Sequence, residues 1–121
     1  MARVSTCLNF PRCTEQAFEF CRTVFGGAFN GPVHRFADAP PAPDRSPLAE
    51  ADRQLVLHVE LPIRGGHVLM GTDAPESMGF AAAPGNNVHI NLEPDSRTDT
   101  ERLFHALAAG GTVQMPLQHM F

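Results

Sequence analysis

His58 and Glu60 stand two positions apart in Gln54–Ile63, a run in which Leu55, Leu57, Val59 and Leu61 take one face and His58 and Glu60 the other. An imidazole and a carboxylate on one strand face can work as an acid–base pair. The same two residues also serve as a plain hydrogen-bonded polar pair. Arg64-Gly65-Gly66 reads as a tight turn into His67–Asp73. The register it sets places His58 near Thr72 and Glu60 near Met70, so these four share a surface. A second candidate is His89. In Val88–Glu93, Val88, Ile90 and Leu92 face one way and His89, Asn91 and Glu93 the other. Imidazole can hold a divalent metal or act as a general base, and it can equally well just face solvent. Cys7 joins Ser5 and Asn9 on the polar face of Val4–Phe10, outside any CxxC or nucleophile motif. Among the other histidines, His67 and His105 read as exposed, and His34 and His119 receive no role. Asp73-Ala74-Pro75-Glu76 is polar loop chemistry at a strand end, either a pocket rim or nothing more.

These residues are positioned by elements that repeat. Val88–Phe121 laid on Val4–Ala37 without a gap matches Val4 to Val88, Leu8 to Leu92, Thr14 to Thr98, Phe20 to Phe104, Gly26-Gly27 to Gly110-Gly111 and Pro32 to Pro116. In the first copy, Val4–Phe10 is a half-buried strand. Thr14 is the expected N-cap of a helix over Thr14–Phe25, whose stripe is Ala17, Cys21, Val24 and Phe25 and whose stop is Gly26. Ala28–Phe36 predicts a weak strand, and Asp38–Asp52 a Pro-rich surface loop with a short helical turn at Pro47–Ala51. The Gln54–Asp73 hairpin follows. The second copy predicts a strand at Val88–Glu93, a helix opened by the capping box Thr98-x-x-Glu101, and a strand over Thr112–Phe121. The first copy thus reads βαβββ and the second βαβ. A full second copy needs on the order of 25 more residues, supplied by a longer chain or by another chain.

Composition bounds the function. The chain has 121 residues, 43% of them hydrophobic and 18% charged, enough for one α+β domain: module one at about 1–79, module two at about 80–121. Net charge is −4, every basic residue is arginine and no basic run exists, which argues against nucleic-acid binding. No apolar run is long enough for a membrane span, and Arg3-Val4-Ser5-Thr6 does not open a signal peptide. Three cysteines without close pairing fit reduced thiols in a cytoplasm.

The duplicated βαβββ unit resembles the vicinal oxygen chelate superfamily, the glyoxalase/bleomycin-resistance/dioxygenase fold, and most closely its PhnB-like branch. The residues that carry the resemblance are Leu8-Asn9-Phe10, Thr14–Phe20 running into Val24–Gly27, His58–Ile63, Leu69–Phe80, Gly85-Asn86-Asn87, Leu103-Phe104-x-Ala106-Leu107 and Gly110-Gly111 to Gln118. The resemblance implies two βαβββ modules forming a cup-shaped sheet around a ligand pocket, here with the last hairpin of module two missing. In metal-dependent members the ligands lie on the first, fourth, fifth and last strands. Those positions fall here on Ser5 or Thr6, on Met70 and on His89, with the last beyond Phe121. Only His89 is a sound ligand type.

The expectation is a small-molecule pocket with Cys7, Met70, Thr72 and Asn91 in its lining, His58 and Glu60 as acid–base residues, and His89 as the lone candidate for a divalent metal. The resemblance implies proton abstraction or isomerisation as the chemistry; a metal-free, antibiotic-sequestering binder is the alternative. The branch's methyltransferase label is set aside, because no glycine-rich nucleotide-binding turn follows a strand. Open strand edges in module two predict a homodimer.

Overall fold

The computed structural model describes residues 2–40 and 47–120, so part of the Pro-rich loop and Phe121 lie outside the described residues. Strand β1 (Thr6–Phe10) alternates as its sequence predicts, with Thr6, Leu8 and Phe10 half-buried and Cys7 and Asn9 exposed. Helix α1 (Thr14–Phe25) keeps its predicted bounds and ends at Gly26, whose φ of 77° suits glycine and whose N–H donates to the Arg22 carbonyl at 2.8 Å. Its start differs from expectation. Cys13 holds the N-cap position, and Thr14 is the first helical residue, fully buried. The cap comes instead from across the fold. Asp73 accepts the Thr14 N–H at 3.1 Å and the Val56 N–H at 2.8 Å. Of the predicted stripe, Val24 is buried and Cys21 packs against the core, but the helix is anchored by Phe18 at 1% exposure, which the predicted stripe does not include.

The predicted strand Ala28–Phe36 shrinks to β2 (His34–Arg35), because Gly31 at φ 72° and Pro32 break the extended run. A 3-10 turn follows at Phe36–Asp38, and another at Glu50–Asp52 covers the end of the anticipated helical turn. The hairpin forms from β3 (Val56–Pro62) and β4 (Val68–Asp73) around the Arg64–Gly66 turn. Its register pairs Val59 with Gly71 and Glu60 with Met70, and carried one residue further it sets His58 opposite Thr72. The sheet order is β1-β4-β3-β2, with β1 parallel to β4 and the other pairs antiparallel.

One face of β3 is not as predicted. His34 pairs with His58 but Arg35 pairs with Val56, so Leu57 is the extra residue of a bulge. The bulge turns both Val56 and Val59 towards the helix and leaves Leu57 37% exposed, so Leu57 drops out of the core and Val56 enters it. The core is Phe18 of α1 against Val56, Val59, Leu61 and Leu69. Gly71 allows this approach: a Cβ there would sit 2.8 Å from Cγ2 of Thr14 and closer still to the Phe18 ring.

After a 3-10 turn at Glu76–Met78, the second module supplies helix α2 (Arg97–Ala108). Its cap is Ser96, whose Oγ accepts the Asp99 N–H at 3.0 Å, two residues earlier than the predicted box at Thr98; Glu101 instead pairs with Arg97 at 2.9 Å. Among the described residues, neither Val88–Glu93 nor the segment after Thr112 forms a strand. Among these residues neither run has a backbone ladder. Val88 is 81% exposed and Met115 57%.

Candidate functional site

With α1 covering one face of the sheet, the opposite face presents the residues whose side chains alternate away from the core. The registers align them in rows. Cys7 on β1 lies beside Met70 on β4, which lies opposite Glu60 on β3; Asn9 lies beside Thr72, with His58 next across the sheet. His34 on β2 is directly opposite His58. The structure therefore brings Cys7, His58, Glu60, Met70 and Thr72 onto one surface.

Its most connected group is the Glu60 carboxylate. His58 Nε2 lies 3.0 Å from Oε1, Arg3 Nη2 3.4 Å from the same oxygen, and Asn30 Nδ2 3.4 Å from Oε2. The His58 hydrogen bond, then those of Asn30 and Arg3, hold the Glu60 carboxyl below the usual carboxylate range against the opposing effect of desolvation. An ionised carboxylate only accepts, so the hydrogen in the His58 contact sits on Nε2, and in the neutral form of the ring the lone pair is on Nδ1. Arg3 Nη2 also lies 3.9 Å from Met70 Sδ. Neither Arg3 nor Asn30 stands out in the sequence. Asn30 arrives because its own N–H donates to the Glu60 carbonyl at 2.9 Å, a loop contact with no sequence signature.

His89 and Asn91 do not join this surface. They line a separate cleft of about 560 Å³, with Thr6, Ile63, Arg64 and His67 on one side and the 88–95 segment on the other. In it, Thr6 Oγ1 and His67 Nε2 are 2.8 Å apart and part-buried, so His67 is more than the exposed turn residue its sequence position suggests. Asn91 Nδ2 donates to Glu93 at 2.9 Å, and Arg64 pairs with Asp99 at 3.3 Å. A second groove of about 530 Å³ follows α2 and is mainly apolar, with Leu103, Phe104, Leu107 and Met115 in its lining.

The divalent metal implied by the family resemblance finds a poor donor set here. Thr6 is in register with Leu69 and faces the helix side, its hydroxyl engaged by His67, whereas Met70 faces the opposite side and offers a soft thioether. His89 sits in the cleft. Among the described residues no group of three or more His, Cys, Asp or Glu side chains is placed to hold a metal ion. These residues do not fit the group. Asp73 is no pocket rim either. At 3% exposure, both its oxygens are taken by buried backbone N–H groups. Beside it, Arg12 bridges Asp52 and Glu76 at 3.0 Å each while Ser77 donates to Asp52, which ties the loops flanking the sheet together.

Among the described residues no helix is long and apolar enough to cross a membrane. No protein-family model matches the chain, and no curated protein does. Among solved structures, the protein PA1353 from Pseudomonas aeruginosa matches with a TM-score of 0.80 and 28% identity, over 99% of this chain and 82% of that one. The chain is thus a distant homologue of PA1353, and its βαβββ-like modules with an open mixed sheet match the cup-shaped glyoxalase/bleomycin-resistance fold.

Proposed function

We propose that the chain is a small-molecule-binding member of the glyoxalase/bleomycin-resistance superfamily, of its PhnB-like branch, and that it moves a proton on a ligand held against the open sheet face. The observation that carries this reading is the 3.0 Å contact between His58 and Glu60 on that face, with the carboxylate further held by Arg3 and Asn30. Glu60 orients the ring, and the Nδ1 lone pair is the base. It takes the proton from the hydroxyl-bearing carbon next to a carbonyl and returns it to the former carbonyl carbon, while the hydroxyl proton passes to the former carbonyl oxygen, an isomerisation without net oxidation. Cys7, Met70 and Thr72 form the surrounding surface. The test is solvent-deuterium incorporation into a panel of small α-hydroxy carbonyl compounds. Exchange should fall on the order of a hundredfold or more in His58→Ala. Exchange that survives the substitution unchanged refutes the assignment.

A metal-free sequestering protein is the second reading, favoured by Met70 at the position where the resemblance places a carboxylate. Saturable binding without exchange would select it. In either case we take 1–121 as a single domain working in the cytoplasm, without nucleic acid or membrane as partner, and as a homodimer. Exposed Val113, Met115 and Leu117 support the dimer. Light scattering on the purified chain checks it; a monodisperse monomer removes it.

A further inference from the structure

The cleft that holds His89 is chemically distinct from the open sheet face. We propose that it is a second binding site, which takes a small organic cation with an apolar body and reads it through the Thr6–His67 pair. Its volume of about 560 Å³ is within the range of small-molecule sites. The pair is pre-assembled, with Thr6 Oγ1 2.8 Å from His67 Nε2, and both residues are half-buried. Either tautomer leaves the pair one donor and one acceptor to offer. If Thr6 donates to Nε2, its oxygen still accepts and Nδ1–H donates. If Nε2–H donates to Thr6, the hydroxyl donates and Nδ1 accepts. The walls add apolar surface from Ile63, Val88, Ile90 and Leu92.

The sign of the ligand follows from the charges around the cleft. Among the described residues Arg64 is the one arginine in its lining, and it is tied to Asp99, which also pairs with Arg102 at 3.2 Å. Glu93 and Asp95 line the same cleft and form no ion pair among the described residues. A protonated amine complements these two carboxylates, and a carboxylate ligand is repelled by them.

The test compares benzylamine, benzyl alcohol and benzoate by NMR titration of the whole chain. Benzylamine should shift the imidazole signals of His67 and His89 and the amides of 88–95 saturably, benzyl alcohol more weakly, and benzoate not at all. Thr6→Val should weaken benzylamine about two- to tenfold. Glu93→Gln and Asp95→Asn should each weaken it about two- to fivefold. Those two carboxylates are exposed, so they keep the test open even where Thr6→Val unfolds the chain. Benzoate binding as tightly as benzylamine, no saturable shift with any probe, or unchanged affinity in both carboxylate variants overturns the proposal. Shifts centred on His58 and Cys7 instead also overturn it, and place the ligand on the open face. The two sites therefore fail separately.

Discussion

Asp73→Ala is the perturbation with the most consequences for this fold. Asp73 is 3% exposed and joins three elements: it sits at the end of β4, caps the first N–H of α1 at 3.1 Å and binds the first N–H of β3 at 2.8 Å. Truncation leaves two buried N–H groups without acceptors. Hydrogen bonds to a charged group contribute about 1.5–3 kcal/mol each, and partial entry of water returns some of that loss. The expected destabilisation is about 3–5 kcal/mol, a large share of the ~5–15 kcal/mol typical of a domain. At this chain length that corresponds to a Tm lowered by roughly 10–20 °C. Asp73→Asn keeps one acceptor oxygen and turns an amide donor towards the other N–H, so it should recover less than half of the loss. Urea unfolding gives the free energies, and amide exchange at Thr14 and Val56 gives the local readout. Exchange at these two amides should accelerate beyond the global change. A loss under about 1 kcal/mol, or unchanged protection at both amides, refutes the bridging role.

Other substitutions probe the core and the open face. Gly71→Ala places a methyl group against Phe18 and Thr14, and overpacking of this kind costs about 1–3 kcal/mol in urea unfolding; a neutral result means that α1 can back away from the sheet. Phe18→Ala, at a position 1% exposed, should cost about 3–5 kcal/mol. His58→Ala removes the largest influence on Glu60, so the Glu60 carboxyl should titrate at higher pH when followed by carbon NMR; an unmoved titration contradicts the contact. The sign for stability follows. Glu60 has a depressed value in the folded state, so its contribution is present above the unfolded carboxylate range and disappears as pH falls through the folded value. Glu60→Gln should flatten that acid limb of the stability curve.

Much of the first module is legible because its signals are local. Gly26 stops α1 where the pattern ends, and the Arg64–Gly66 turn sets a register that pairs Glu60 with Met70. The misreadings occur where a distant residue decides. Thr14 has the chemistry of an N-cap, but Asp73, 59 positions away, supplies the acceptor and frees Thr14 to be buried under Gly71. Strict alternation assigns Leu57 to the core, and the bulge opposite β2 exchanges it for Val56. For the site, alternation places His58 and Glu60 on a common face, yet nothing in it shows that Arg3 and Asn30 converge on the same carboxylate. Alternation does set Thr6 with Leu8 and Phe10, away from Cys7 and Met70, but it does not show that the Thr6 hydroxyl meets His67.

The segments around α2 carry the same lesson further. Val88, Ile90 and Leu92 alternate as regularly as Thr6, Leu8 and Phe10, yet only the latter form a strand. Alternation states which face an extended chain would bury, whereas a strand also needs a neighbouring backbone to exchange hydrogen bonds. β1 has that neighbour in β4, paired through five residues in parallel register. The 88–95 segment has none among the described residues, and it lies instead across a cleft from the start of β1. His89 and Asn91 are thereby carried away from the His58 surface. The same displacement brings Glu93 and Asp95, which form no ion pair among the described residues, into the lining of the cleft that holds Thr6 and His67, so the missing ladder and the charge of the second cleft have one structural cause.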